Sequence, residues 1–224
     1  MALQLTGANS EAASAAAGAG ATAAPLTLAC WVNPDSVTGN DGLVELNDGD
    51  TSDVFLLFLA AGVITAFTAQ AAATASATAG TALGTGTWAH AAAVFVTAAS
   101  RFAYKNGVVG TEDTTSRTPA GIVQVRLGSQ VAANFMDGKL AEVGIWNVAL
   151  DAAEVAALAD GFSPRLIRPA SLVHYYPLIR GTVNQGGSSN TTLDRAKSAI
   201  NLTEANTPTY ADPHVRVIYP TGPI

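Results

Sequence analysis

Carboxylates come first, because a facing pair of them can hydrolyse a glycosidic bond. A retaining glycosidase needs two acids about 5 Å apart, and on one strand face that means a spacing of two or four residues. Glu142 sits in a short alternating run, but Val143, Gly144, Ile145 and Trp146 follow it, so no second acid shares its face. The sequence therefore predicts no catalytic pair there. Glu142 reads as a surface or rim residue beside a helix.

Asp48, Asp50 and Asp53 form the densest acidic cluster. Oxygen ligands spaced along a loop can hold Ca²⁺. The same run, Asn47-Asp48-Gly49-Asp50, is ordinary hairpin-turn chemistry and lacks the full spacing of a helix-loop-helix calcium site. His90, His174 and His214 stand far apart, and none has a Cys or second His at zinc-ligand spacing. His90 and His174 lie in apolar runs and read as core histidines. No Gly-x-Ser-x-Gly elbow and no phosphate-cradling glycine motif occurs. Trp31, Trp88 and Trp146 could build a sugar platform, but core packing with a hydrogen-bonded indole is the favoured reading. No catalytic, cofactor-binding or metal-ligating residue is assigned. The chain is expected to be no enzyme and to use no cofactor.

Charge and composition narrow the partners. The net charge is −6 and only 11 residues are Lys or Arg, scattered along 224 positions, which argues against nucleic acid and against a basic membrane-binding patch. Charged residues are 12% of the chain, about half the usual share. That leaves a bland surface suited to permanent contacts. The single Cys30 alternates with Leu26, Leu28 and Val32 and reads as a small core hydrophobe. The start, MALQLTGANSEAAS, has neither a basic segment nor an apolar core, so no signal peptide is expected and folding in a reducing cytoplasm is. Val54 to Phe67 is apolar but too short for a membrane span, and reads as two buried strands with a turn at Ala60-Ala61-Gly62.

The elements that must carry these residues are mostly strands. Leu26 to Val32, Gly42 to Leu46, Asp53 to Leu59, Val63 to Ala69, Trp88 to Thr97 and Leu172 to Leu178 are predicted strands. Asn106-Gly107 joins Arg101–Lys105 to Val108–Thr111, the strongest hairpin signal present. Val123, Val125 and Leu127 alternate with Gln124 and Arg126. Glu11 to Ala24 is Ala/Gly/Ser/Thr-rich and predicted as loop, and a second such stretch covers Ala71 to Gly86. Ala141, Val143 and Ile145 are expected on one strand face, followed by one short helix around 151–160. Asp151 and Glu154 form its capping box, and Gly161 and Pro164 stop it. Short strands at roughly ten-residue spacing predict an all-β antiparallel sandwich or jelly roll.

Five segments in one order, Leu26–Ser36, Gly86–Phe95, Phe102–Thr111, Val123–Gln130 and Phe135–Leu158, resemble the laminin G-like, concanavalin A-like jelly-roll domain. The related glucanases carry a Glu-x-Asp-x-x-Glu run on one strand, which is missing around Glu142, and some laminin G-like domains bind calcium at a loop rim. Ser163–Gly181 and Ala211–Pro220 further resemble structural proteins of tailed bacteriophages and prophages.

That resemblance implies a virion component made in the host cytoplasm, with residues 1–180 as the jelly-roll domain and 181–224 as a polar linker and Pro-rich extended arm. The expected role is a capsid decoration protein docking on the major capsid protein or other virion proteins, as a homo-oligomer such as a trimer. The alternative is a carbohydrate-binding, lectin-like module that attaches a phage tail or fibre to glycans.

Overall fold

The computed structural model describes residues 2–9, 11–13, 20–130, 133–179, 182–183, 190–196, 200–206 and 208–219, with backbone only at 11–13, 182–183 and 190. The strands in chain order begin with Ala2–Thr6 (β1), Glu11–Ala13 (β2), Leu26–Pro34 (β3), Asn40–Asn47 (β4), Val54–Ala60 (β5) and Val63–Gln70 (β6). Ala73–Ala79 (β7), Ala89–Thr97 (β8), Ser100–Lys105 (β9), Val108–Val109 (β10), Gln124–Leu127 (β11) and Asp137–Trp146 (β12) follow. A helix, Ala152–Ala159 (α1), precedes Leu172–Tyr176 (β13), Thr182–Val183 (β14), Asn190–Thr192 (β15), Leu202–Ala205 (β16) and Thr209–Ala211 (β17).

Among the described residues these strands form two antiparallel sheets. One runs β10-β9-β8-β3-β12-β1-β17, with β13 also on β12; the other runs β14-β15-β16-β2-β11-β4-β5-β6-β7. The period-two pattern decides what lies between them. Leu26, Leu28, Cys30 and Val32 of β3 meet Phe55, Leu57 and Leu59 of β5 and Val125 and Leu127 of β11 in one buried core. Strand β8 contributes Ala89, Ala91, Ala93 and Phe95 to it. Small alanines there leave room for aromatics opposite, and Phe95 meets Phe55 edge to face at 5.2 Å. Burial also pushes the Cys30 thiol far up, so it stays a neutral core group.

A second core lies on the outer face of the β3-containing sheet. Val155 and Leu158 of α1 cover Ala29, Ala92, Val94, Tyr104 and Trp146. The helix is short and stands only because it is packed and capped. Asp151 Oδ1 accepts from Glu154 N and Glu154 Oε2 accepts from Asp151 N, each at 2.9 Å. The predicted helix, its capping box and the sandwich class are all observed.

The structure adds to or departs from the sequence reading in three places. Ala71 to Gly86 contains a regular edge strand, β7, with Ala75, Ala77 and Ala79 inward and Thr74, Ser76 and Thr78 outward. Arg117 caps the start of this strand: its Nε and Nη2 donate to the carbonyls of Ala73 and Thr74 at 3.0 Å. Glu11–Ala13, predicted as loop, pairs with both β11 and β16. The stretch read as polar linker and Pro-rich arm, residues 181–224, supplies β14 to β17 to the two sheets, because partners at β1 and β2 stand open to it. Residues 14–19, 184–189 and 220–224, read as loop, linker and arm, lie outside the described residues.

Candidate functional site

Strand β12 is where alternation breaks. Its first half pairs with β1 (Leu3 opposite Leu140) and its second half with β13 (Val143 opposite Tyr176) on the same side. Between Ala141 and Gly144 the register against β3 shifts, and Glu142 takes φ +53°. This bulge resets the parity, so Leu140, Val143 and Ile145 enter the inter-sheet core while Ala141 does not join that cluster.

The bulge also drives Glu142 inward. It is 2% exposed, not a rim residue as expected. Its Oε2 accepts from Tyr175 Oη at 2.6 Å and its Oε1 from Tyr219 Oη at 2.7 Å. His214 Nε2 lies 3.5 Å from Oε1 and donates to the Pro177 carbonyl at 3.2 Å. Burial raises the carboxyl above its usual range, opposed by the two phenol bonds and by His214. Among the described residues this carboxylate is filled by its own chain, with both oxygens already accepting phenol hydrogens.

Open space lies at the loop rim instead. The end of β1, the β3–β4 loop and the turn entering β12 surround a cleft of about 570 Å³. Backbone bonds lace the three loops together. Gly7 N donates to Met136 O, Asp35 N to Asp137 O, and Gly42 N to Asn134 O, at 2.8 to 3.0 Å. Gly42 has to be glycine, because a Cβ there would lie 2.3 Å from the Ser129 carbonyl carbon. The walls are polar: Thr6, Ser36, Thr38, Asn40 and Asn134, with Phe135 as the aromatic side chain.

Two carboxylates line this cleft, Asp41 and Asp137. Asp41 is only 6% exposed, and its Oδ2 has no hydrogen-bond partner among the described residues. A buried oxygen without a donor costs free energy that an incoming donor can recover. Burial, and then the Asp137 charge, pushes the Asp41 carboxyl up to about 6. Asp41 and Asp137 stand 96 positions apart, so no local motif joins them; the pairs Asp41-Gly42 and Asp137-Gly138 were the available signal of tight loops.

The other candidates are placed as follows. Asp48, Asp50 and Asp53 do not converge; Asp48 accepts from Asp50 N, Asp50 from Ser52 N, and Asp53 from Ala71 N and Ala120 N. Hydrogen bonds from Ser52 hold the Asp50 carboxyl below its usual value. Among the described residues, no group of three or more His, Cys, Asp or Glu is gathered to hold a metal ion. His90 is buried and pulled down to about 3 by desolvation, with Trp31 edge-on at 5.5 Å. His174 is buried with Nδ1 2.8 Å from Asp194 Oδ2, tying β13 to the segment after β15. Trp146 is fully buried and donates to Ile167 O at 2.8 Å, as a core indole should. Trp88 departs from that expectation, since its buried Nε1 has no partner among the described residues.

Two packed antiparallel sheets, with a cleft at their loop rim, define an antiparallel β-sandwich of the concanavalin A-like kind. The chain belongs to the Concanavalin A-like lectin/glucanases superfamily, whose sequence pattern matches residues 6–156. No curated protein matches the sequence at a significant level. Among solved structures, a candidate carbohydrate binding protein from Bacteroides ovatus superposes with TM-score 0.66 at 17% identity, covering 97% of this chain and 61% of that one. The chain thus spans about three fifths of that relative's length. A heptameric SAP-like pentraxin from Limulus polyphemus gives 0.56 at 13% identity, over 70% and 80% of the two chains. Domain 4 of the extracellular arabinanase AbnA of Geobacillus stearothermophilus, in complex with arabinotriose, gives 0.52 at 20% identity, over 62% and 68%. At these identities the likeness is one of fold.

Proposed function

We propose that the chain is a non-catalytic carbohydrate-binding module that holds a saccharide in the rim cleft. The observation that carries this reading is the open polar cleft with the unpartnered Asp41 Oδ2 in its wall. Sugar hydroxyls are donors in the geometry such an oxygen lacks, and Phe135 offers an apolar face for a ring. The likeness to a candidate carbohydrate binding protein and to an arabinotriose-bound domain supports it. The test is a glycan array probed with the whole chain and with Asp41→Asn. Binding that the substitution weakens is expected; a blank array rejects the reading. Release of new reducing ends from a bound polysaccharide would instead make the Asp41–Asp137 pair hydrolytic.

A second reading is a virion structural protein that docks on capsid subunits or on copies of itself. It is favoured by an apolar patch on, and directly beside, the segments that resemble phage proteins. Phe162 and Ile218 are bridged to each other and are 39% and 52% exposed, with Tyr219 beside them. Phe162→Asp should then abolish decoration of purified particles in electron micrographs. Undiminished decoration would reject that role for the patch.

A further inference from the structure

The charge of the rim cleft carries a prediction about its ligand, one that rests on the saccharide reading above. Asp41 and Asp137 both line the cleft, and none of its described lining residues is Lys, Arg or His. The nearest lysine along β12, Lys139, is held by Asp35 Oδ1 at 3.5 Å. Gln4 Nε2 donates to the other oxygen of Asp35 at 2.9 Å. Among these described residues, then, three carboxylates stand against one ammonium. A carboxylate or sulfate on a sugar entering here would meet like charge with no cation to pair it. An ammonium would meet the opposite. It would donate to the partnerless Asp41 Oδ2 and relieve the repulsion between Asp41 and Asp137, the same repulsion that helps push the Asp41 carboxyl up to about 6.

We propose that the cleft selects saccharides bearing free amines, accepts neutral ones more weakly, and turns away anionic ones. The walls suit this. Gly7, Ala8 and Gly39 leave room for a ring, Thr38 and Asn40 supply neutral polar groups, and Phe135 is half-buried at the turn.

The experiment is calorimetric titration of the whole chain at pH 7 in EDTA with three probes of equal length: a glucosamine tetramer, its N-acetylated counterpart, and a galacturonate tetramer. The amine-bearing probe should bind at least about tenfold tighter than the acetylated one, and the galacturonate should give no heat. In Asp41→Asn, and separately in Asp137→Asn, the tenfold preference should shrink to about threefold or less, with an unchanged circular dichroism spectrum showing each variant folded. Galacturonate binding as tight as the amine, or preference unaltered in both folded variants, overturns the proposal. Galacturonate binding that appears when Ca²⁺ replaces EDTA overturns it too, because the carboxylates would then be cation ligands. Silence from all three probes together with a blank array removes the saccharide reading itself, whereas binding with the wrong charge order removes only this inference.

Discussion

Tyr219 donates its phenol hydrogen to Glu142 across 77 residues, at 2.7 Å, and so fastens the end of the described chain to the middle of the sheet. Tyr175 fastens the same carboxylate from β13 at 2.6 Å. A buried carboxylate needs both. Removing a donor that water cannot replace leaves an acceptor oxygen unpaired, at a cost of about 1–3 kcal/mol. Tyr175→Phe is expected to lose more than Tyr219→Phe, because Tyr175 is 2% exposed and Tyr219 is 43%, so water can replace the second donor. Urea midpoints of the two variants measure the difference; equal losses would contradict it.

Asp41 is expected to destabilise the fold at neutral pH. Its folded-state carboxyl lies at about 6, above its ordinary 3.8, so the folded chain holds that proton more tightly than the unfolded one. Its contribution is therefore most favourable below about pH 4 and is lost as pH rises through about 6. Asp41→Asn should raise the melting temperature at pH 7 by about 2–4 °C, near 1 kcal/mol, and give no gain at pH 4. Calorimetric scans of both proteins from pH 4 to 7 check this.

Gly42→Ala is expected to cost about 2–4 kcal/mol. A methyl there would collide with the Ser129 carbonyl, which is backbone and cannot rotate away. The neighbouring Gly39, with nothing within 4 Å of an added Cβ, is the control. Gly39→Ala should change stability little, by about 0.5 kcal/mol or less. Chemical denaturation of the pair decides the point.

Trp146→Phe tests the outer core. It leaves the Ile167 carbonyl without its indole donor and opens space beneath α1. The expected loss is about 2–3 kcal/mol, and Trp146→Ala should lose about 3–5. Thermal unfolding followed by circular dichroism reads both.

A chain ending at residue 190 loses β16, β17, Tyr219 and His214 together. It would uncover β2 and leave Glu142 with one donor. Such a chain should unfold non-cooperatively or fail to stay in solution, which size-exclusion chromatography and a urea melt would reveal.

The strands that alternate with large apolar residues, such as Leu26 to Val32 and Val54 to Phe67, were legible because burial of those side chains decides their conformation. The capped helix was legible for a local reason, two side chains three residues apart. Strand β7 was not, since Ala, Ser and Thr carry weak preferences and its partner β6 decides the matter. The burial of Glu142 hid behind a one-residue bulge, which no alternation pattern announces. The closing strands of the tail have their partners at the other end of the chain, so only tertiary pairing fixes them. The cleft is of the same kind. Asp41 and Asp137 meet because three loops converge, and nothing near either one in sequence marks the meeting.

Arg117 lies over the first carbonyls of β7, a run of seven uncharged small residues. A bare margin of that composition is the sort of template on which fibrils grow, chain after chain. A single guanidinium plugs it at the point where an incoming strand would begin to pair. Self-association that begins at that end of the margin must first displace the plug, and Arg117→Ala is where uncontrolled polymerisation would start.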